Sequence, residues 1–121
     1  MGAKIRHIAI ATQDPDTMAH FFKQALGLKQ VGVANSDLAT GYFLTDGYIN
    51  LALPKVRGSV KPGLHHFGFE VENLDQAQHR LREIKPDIQF VEPRPEVAFA
   101  EYKAADPDGN PFDISEKGWE V

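Results

Sequence analysis

The chain has no cysteine, which excludes disulfides, thiolate zinc sites and a cysteine nucleophile. It is also short of positive charge. Thirteen Lys and Arg against 17 Asp and Glu leave a formal net charge of −4, and the pI is near 5.7. That balance argues against nucleic acid as the main partner. No apolar run approaches membrane-spanning length, so no membrane contact is expected. The opening MGAKIR has neither a signal-peptide core nor the Ser or Thr that a myristoylation site requires. These absences together predict a cytoplasmic protein. What remains is ordinary in bulk: 121 residues, 42% hydrophobic and 25% charged, enough for a single domain over 1–121 with a core that needs no staples.

The less ordinary feature is an internal repeat. The stretch HIAIATQDPDTMAHFFKQALGLKQV starts at His7, and HFGFEVENLDQAQHRLREIKPDIQF starts at His66. Superposing His7 on His66 also superposes Asp16 on Asp75, His20 on His79 and Gln30 on Gln89. Two copies are too few for a solenoid and predict a pseudo-twofold pair of modules. In the first, RHIAIA alternates, with Ile8 and Ile10 on one face and His7, Ala9 and Ala11 on the other. Asp14 reads as an N-cap, Pro15 as the first helical residue and Gly27 as the residue past the end. Met18, Phe21, Phe22, Ala25 and Leu26 make the apolar stripe between them. In the second, Phe67, Phe69 and Val71 form the core face, Asn73 caps a helix, and its stripe is Leu74, Ala77, Leu81 and Ile84, stopping near Pro86. Further strands are expected at QVGVA, GYFLT and YINLAL, then at IQFV, AEYKAA and PFDIS. The fold class is therefore α+β: two βαβββ modules, about 1–53 and 64–121, joined by a Pro- and Gly-containing linker over 54–63, with curved mixed sheets around a shared cavity.

Side-chain alternation then selects the residues facing that cavity. With Phe67 and Phe69 under the helix, His66, Gly68 and Glu70 project from the other face; His65 falls on the helix side and reads as structural. His7 is placed like His66, and both have small neighbours that leave open space. In PFDIS, Phe112 and Ile114 take the core and Asp113 faces the cavity. His7, His66 and Asp113 make a two-histidine, one-carboxylate set suited to Fe(II), Mn(II) or Zn(II), with positions left open for substrate or water. Asn50 is expected to correspond to Asp113 in the first module, with Leu51 the alternative if the register slips by one, and as a neutral amide Asn50 is a poor ligand except through its amide oxygen. Glu70 is a candidate base. Tyr102 is a candidate catalytic hydroxyl and Tyr42 a candidate substrate contact, although both read equally as sheet-packing aromatics. His20 and His79 read as ordinary helix-surface residues. Lys55, Arg57 and Lys61 read as a solvated linker face.

In the order HIAIATQDPDTMAHFFKQALGLKQ, LHHFGFEVEN, DPDGNPFDIS, the chain resembles the vicinal oxygen chelate superfamily along essentially its whole length. That superfamily includes glyoxalase I, extradiol dioxygenases, methylmalonyl-CoA epimerase, fosfomycin-resistance thiol transferases and bleomycin-resistance proteins. The resemblance implies a divalent metal (Fe, Mn, Zn or Ni) held from the first and last strands of each module, here His7, Asn50, His66 and Asp113. It also implies a small-molecule substrate that chelates the metal through neighbouring oxygens, a lyase, isomerase or dioxygenase reaction, and a homodimer. Asn50, and an Asp one methylene shorter than the usual Glu, point to three-ligand members rather than glyoxalase I. The alternative it implies is a metal-free binding protein of the bleomycin-resistance type.

Overall fold

The computed structural model describes residues 2–95 and 100–121. Its elements run β1 (Lys4–Ala11), α1 (Pro15–Leu26), β2 (Lys29–Asn35), β3 (Thr40–Thr45), β4 (Asn50–Pro54), β5 (Gly63–Glu70), α2 (Leu74–Ile84), β6 (Tyr102–Ala105) and β7 (Pro111–Ser115). Both helices start and stop where the capping chemistry places them. Asp14 accepts hydrogen bonds from the Thr17 N–H at 3.1 Å and the Thr17 hydroxyl at 2.6 Å, and Pro15 follows it. Gly27, at φ 70°, closes α1 with its N–H on the Lys23 carbonyl. In α2, Asn73 accepts from the Gln76 N–H at 2.9 Å. Glu116, near the C-terminus, accepts from the Leu74 N–H at 2.9 Å, so the chain end ties down the start of the second helix. Asp14→Ala removes both bonds at the α1 cap and is expected to cost about 1 kcal/mol. A thermal melt checks this, and an unchanged midpoint would show that the cap contributes nothing.

The strands form one seven-stranded sheet in the order β2-β3-β4-β1-β5-β7-β6. β1 lies at its centre, parallel to β4 and antiparallel to β5, so the two modules join edge to edge and share a concave face. The β1–β5 register gives the internal symmetry. Ile8 pairs with Phe67, and on either side His7 pairs with Gly68 and Ala9 with His66. The repeat maps Ile8 onto Phe67, so the pseudo-twofold passes through that pair. Just beyond it the register skips one residue on each strand, Arg6 on β1 and His65 on β5, which are β-bulges at equivalent repeat positions.

One expected strand is nearly absent. Of IQFV only Val91 pairs, through reciprocal backbone hydrogen bonds with Lys103. Pro86, Pro93 and Pro95 bracket the segment and remove the donors that a longer ladder would need. Ile88 and Phe90 still pack into the second module's core.

Three apolar clusters result. Ala19, Leu44 and Leu53 sit under α1 with Met18 and Phe22, and Ile88, Ala104, Phe112 and Ile114 sit under α2 with Leu74 and Leu81. On the concave face Ala9, Ala34, Phe43 and Ala52 pack with Trp119. The helix stripes are narrower than the sequence spacing implies: Ala19 is buried, whereas Phe21 is 57% exposed, Leu26 68% and Ile84 87%. Leu26 and Ile84 are the last residues of their helices.

Candidate metal centre

His7 on β1, His66 on β5 and Asp113 on β7 converge on the concave face. The Asp113 Oδ2 atom lies 3.2 Å from His7 Nε2 and 3.1 Å from His66 Nε2, and one ligand atom from each of the three residues falls within a 4.8 Å span. The strands dictate this meeting: Gly68 pairs with His7 on one side and with Asp113 on the other. A Cβ at Gly68 would lie 2.0 Å from the His7 ring, so the glycine is the gap through which the imidazole reaches across β5 toward β7. His7 and Asp113 are almost wholly buried.

The other wall of this site is the C-terminal segment. The Trp119 indole stacks flat on His7, with centroids 3.6 Å apart and an interplanar angle of 6°. It also meets Phe43 edge-on. Asn50 is held by the same segment, its Nδ2 donating to the Glu120 carbonyl at 2.8 Å. The register differs from the expectation for Asn50. It pairs with His7, whereas Ala9 pairs with Ala52 and its repeat counterpart Gly68 pairs with Asp113. Ala52, not Asn50, is therefore the register counterpart of Asp113.

Burial and neighbouring charge perturb the titration of His7 and Asp113. Burial pushes His7 below its ordinary value, against the opposing pull of Asp113. Burial alone would raise Asp113. The adjoining His66 and His7 rings and the charge of Lys103 outweigh it and hold the carboxyl well below the usual carboxylate range. By type, two imidazoles and a carboxylate suit a first-row divalent cation. Metal–ligand bonds of about 2.0–2.2 Å imply ligand–ligand separations of about 3.0–3.5 Å, the spacing between Oδ2 and the two Nε2 atoms. Buried and without hydrogen-bond partners of good geometry, those atoms are oriented toward one another.

Three residues that the sequence reading did not single out complete the site. Lys103 Nζ donates to Asp113 Oδ1 at 2.8 Å. The nearly buried Glu101 accepts from the Ser115 hydroxyl at 2.5 Å, and burial pushes its carboxyl up to about 7. Its Oε1 is 4.0 Å from His7 Nδ1, beyond hydrogen-bond reach. Trp119 is the third. His66, Lys103 and Asp113 border a cavity of about 160 Å³ whose other walls include Ala34, Phe43, Ala52 and Trp119.

Of the remaining sequence-predicted residues, Tyr42 also borders this cavity and the others do not. Glu70 is on the concave face but pairs with Arg6, Nε to Oε1 at 3.2 Å, under the turn at Gly118. Tyr102 pairs with Ile114 and packs in the cluster beneath α2, on the sheet face away from the metal-ligand cluster. The Tyr42 hydroxyl donates to Asp16 on α1. His20 is exposed, and His79 meets only Glu83, at 3.4 Å along its own helix. Lys55, Arg57 and Lys61 are exposed, Arg57 donating to the Asp37 carbonyl. His65 is not on the helix side: its Nδ1 lies 2.7 Å from His66 Nδ1.

Paired modules on one curved sheet bring two histidines and an aspartate together beside an apolar cavity, a candidate cation site. The chain belongs to the Glyoxalase/Bleomycin resistance protein/Dioxygenase superfamily, which it matches over residues 4–114. Among solved structures it is similar to hypothetical protein BH1468 from Bacillus halodurans C-125, with a TM-score of 0.72 and 20% identity over all of both chains. It is similar to methylmalonyl-CoA epimerase from Mycobacterium tuberculosis, with a TM-score of 0.74, 18% identity, and 92% of this chain and 85% of that one covered. A Streptomyces coelicolor methylmalonyl-CoA epimerase in complex with 2-nitronate-propionyl-CoA also matches, with a TM-score of 0.67, 16% identity, and 99% and 100% coverage. No curated protein shows significant sequence similarity to the chain. At these identities the structural likenesses establish the fold. No helix among the described residues is long and apolar enough to cross a membrane.

Proposed function

We propose that the chain is a divalent-metal-dependent enzyme acting on a small substrate that chelates the ion through two neighbouring oxygens. The observation carrying this reading is the meeting of two imidazole Nε2 atoms and one carboxylate oxygen at 3.1 and 3.2 Å beside an apolar cavity. His7, His66 and Asp113 would hold the ion, and three protein ligands leave coordination positions free. When bound, the ion supplies Lewis acidity to a substrate oxygen on which negative charge develops. The chain's own residues do the rest. Phe43, Ala52 and Trp119 exclude water and seat the carbon skeleton. Lys103 sets a positive charge at the polar wall, where it can stabilise an anionic oxygen. Neither Glu70 nor Tyr102 borders this cavity, so the proposed roles rest on the cluster and Lys103. We also propose a homodimer, which sedimentation at working concentration tests; a strict monomer counts against it.

The test is metal uptake followed by turnover. Protein freed of metal and titrated with Fe(II), Mn(II), Zn(II) or Ni(II) is expected to bind one equivalent. His66→Ala should weaken that binding by at least about 100-fold, since losing a ligand costs no less than losing an outer-shell partner. Each loaded form is then assayed on catechols, 2-oxoaldehyde–thiol adducts, fosfomycin with thiol, and methylmalonyl-CoA. No uptake of any ion overturns the reading. One observation favours a second reading, a metal-free binder: Lys103 already neutralises Asp113 at 2.8 Å. That reading gains if an aromatic ligand binds the His7→Ala/His66→Ala protein as tightly as the wild type.

A further inference from the structure

We propose that His65 is a positioning residue for this centre. Through a hydrogen bond across a β-bulge it determines which nitrogen of His66 is free to receive a cation. The proposal rests on the metal reading above and can fail independently of it.

Neighbouring residues on a regular strand point to opposite faces, so their side chains do not meet. His65 and His66 break that rule because the β1–β5 register skips His65: Ala9 pairs with His66 and Ile10 with Leu64. The extra residue re-aims the side chain, as bulges beside sites do, and the two rings come to 4.9 Å between centroids at 75°. Their Nδ1 atoms are then 2.7 Å apart. Two ring nitrogens at that distance need a single proton between them, which leaves two arrangements for a neutral pair. If His65 donates, the His66 proton sits on Nε2 and faces Asp113 Oδ2 at 3.1 Å, which closes the site without a cation. If His66 donates from Nδ1, its Nε2 presents a lone pair toward Oδ2 and His7, the form a cation requires, and His65 carries its proton on Nε2 instead. Passing between them moves one proton across the Nδ1 pair, releases one from His66 Nε2 and returns one to His65 Nε2, so the pair's charge is unchanged.

The first module shows that this is specific to the sequence rather than to the fold. The equivalent bulge on β1 carries Arg6, which turns to Glu70 Oε1 at 3.2 Å and to the Tyr48 carbonyl at 3.3 Å. Among the described residues, His7 Nδ1 has only Glu101, at 4.0 Å. Of the two imidazole ligands, His66 alone has an imidazole behind it at bonding distance.

Cobalt(II) titration of wild type, His65→Phe and His65→Asn, each checked for native melting, tests the assignment. His65→Phe keeps a ring but no acceptor and is expected to weaken Co(II) binding by about 10- to 100-fold. His65→Asn, whose amide oxygen can accept, should recover part of that loss. Imidazole ¹⁵N spectra of wild type should show the His66 proton moving from Nε2 to Nδ1 when Zn(II) is added. Equal Co(II) affinity in folded His65→Phe, or a His66 tautomer that does not move, overturns the role of His65 alone. A wild type that binds no Co(II) overturns the metal reading and this proposal together.

Discussion

Gly68→Ala is expected to lower stability by about 3 kcal/mol, at the upper end of the cost of overpacking a filled interior. For a chain of this length that is a fall in melting temperature of roughly 10–15 °C. The strain is purely one of space, because Gly68 is not among the glycines at positive φ. The added methyl would sit 2.0 Å from His7 Cε1, 2.4 Å from Nδ1 and 2.6 Å from Nε2. The imidazole has nowhere to retreat: it is wholly buried and Trp119 is stacked on its face at 3.6 Å. Loss of stability and loss of metal binding should therefore come together. A double-mutant cycle checks the cause. Combined with His7→Ala, which removes the ring, Gly68→Ala should cost under 1 kcal/mol, because contacting residues couple and independent ones add. An undiminished cost in that background would place the strain elsewhere.

The same glycine shows how much of the site was legible in the sequence. His7, His66 and Asp113 could be chosen because strand alternation is local and the repeat superposes the two histidines. The helix ends were legible for a similar reason, since Asp14, Gly27 and Asn73 act within one turn of where they stand. Orientation failed where it depended on register. Reading AEYKAA as a strand leaves open which parity faces the cavity, and one residue of slip exchanges the faces. The structure turns Glu101 and Lys103 toward the cluster and Tyr102 toward Ile114. The bulges at Arg6 and His65 carry no Gly or Pro that would announce them. They arise where two antiparallel strands related by the pseudo-twofold must pair across it, so His65 was placed on the wrong face. Trp119 lies beyond the last predicted strand, with no periodicity to place it. Only the fold of the final residues over the concave face brings it onto His7.

Glu101 yields the second large effect, in metal-free protein. Its carboxyl is nearly buried and pushed up to about 7, chiefly by desolvation and despite the hydrogen bond from Ser115. In the unfolded chain the same group titrates near 4.5. Between those values the native state holds a proton that the unfolded state has lost. Where the native state binds more protons, stability falls as pH rises. The contribution is absent below about pH 4.5, grows through the window, and is complete above about pH 7. A shift of that size corresponds to about 3 kcal/mol of lost stability. Glu101→Gln keeps an oxygen to accept from Ser115 but cannot ionise. It is expected to match the wild type near pH 4.5 and to exceed it by up to about 3 kcal/mol at pH 8. Urea unfolding of both proteins across pH 4.5 to 8, with chelator present, measures the difference directly. A gap that stays constant with pH would mean that Glu101 is ionised in the folded protein throughout. The partial charge balance would then have to come from Lys103, whose charge acts to lower it.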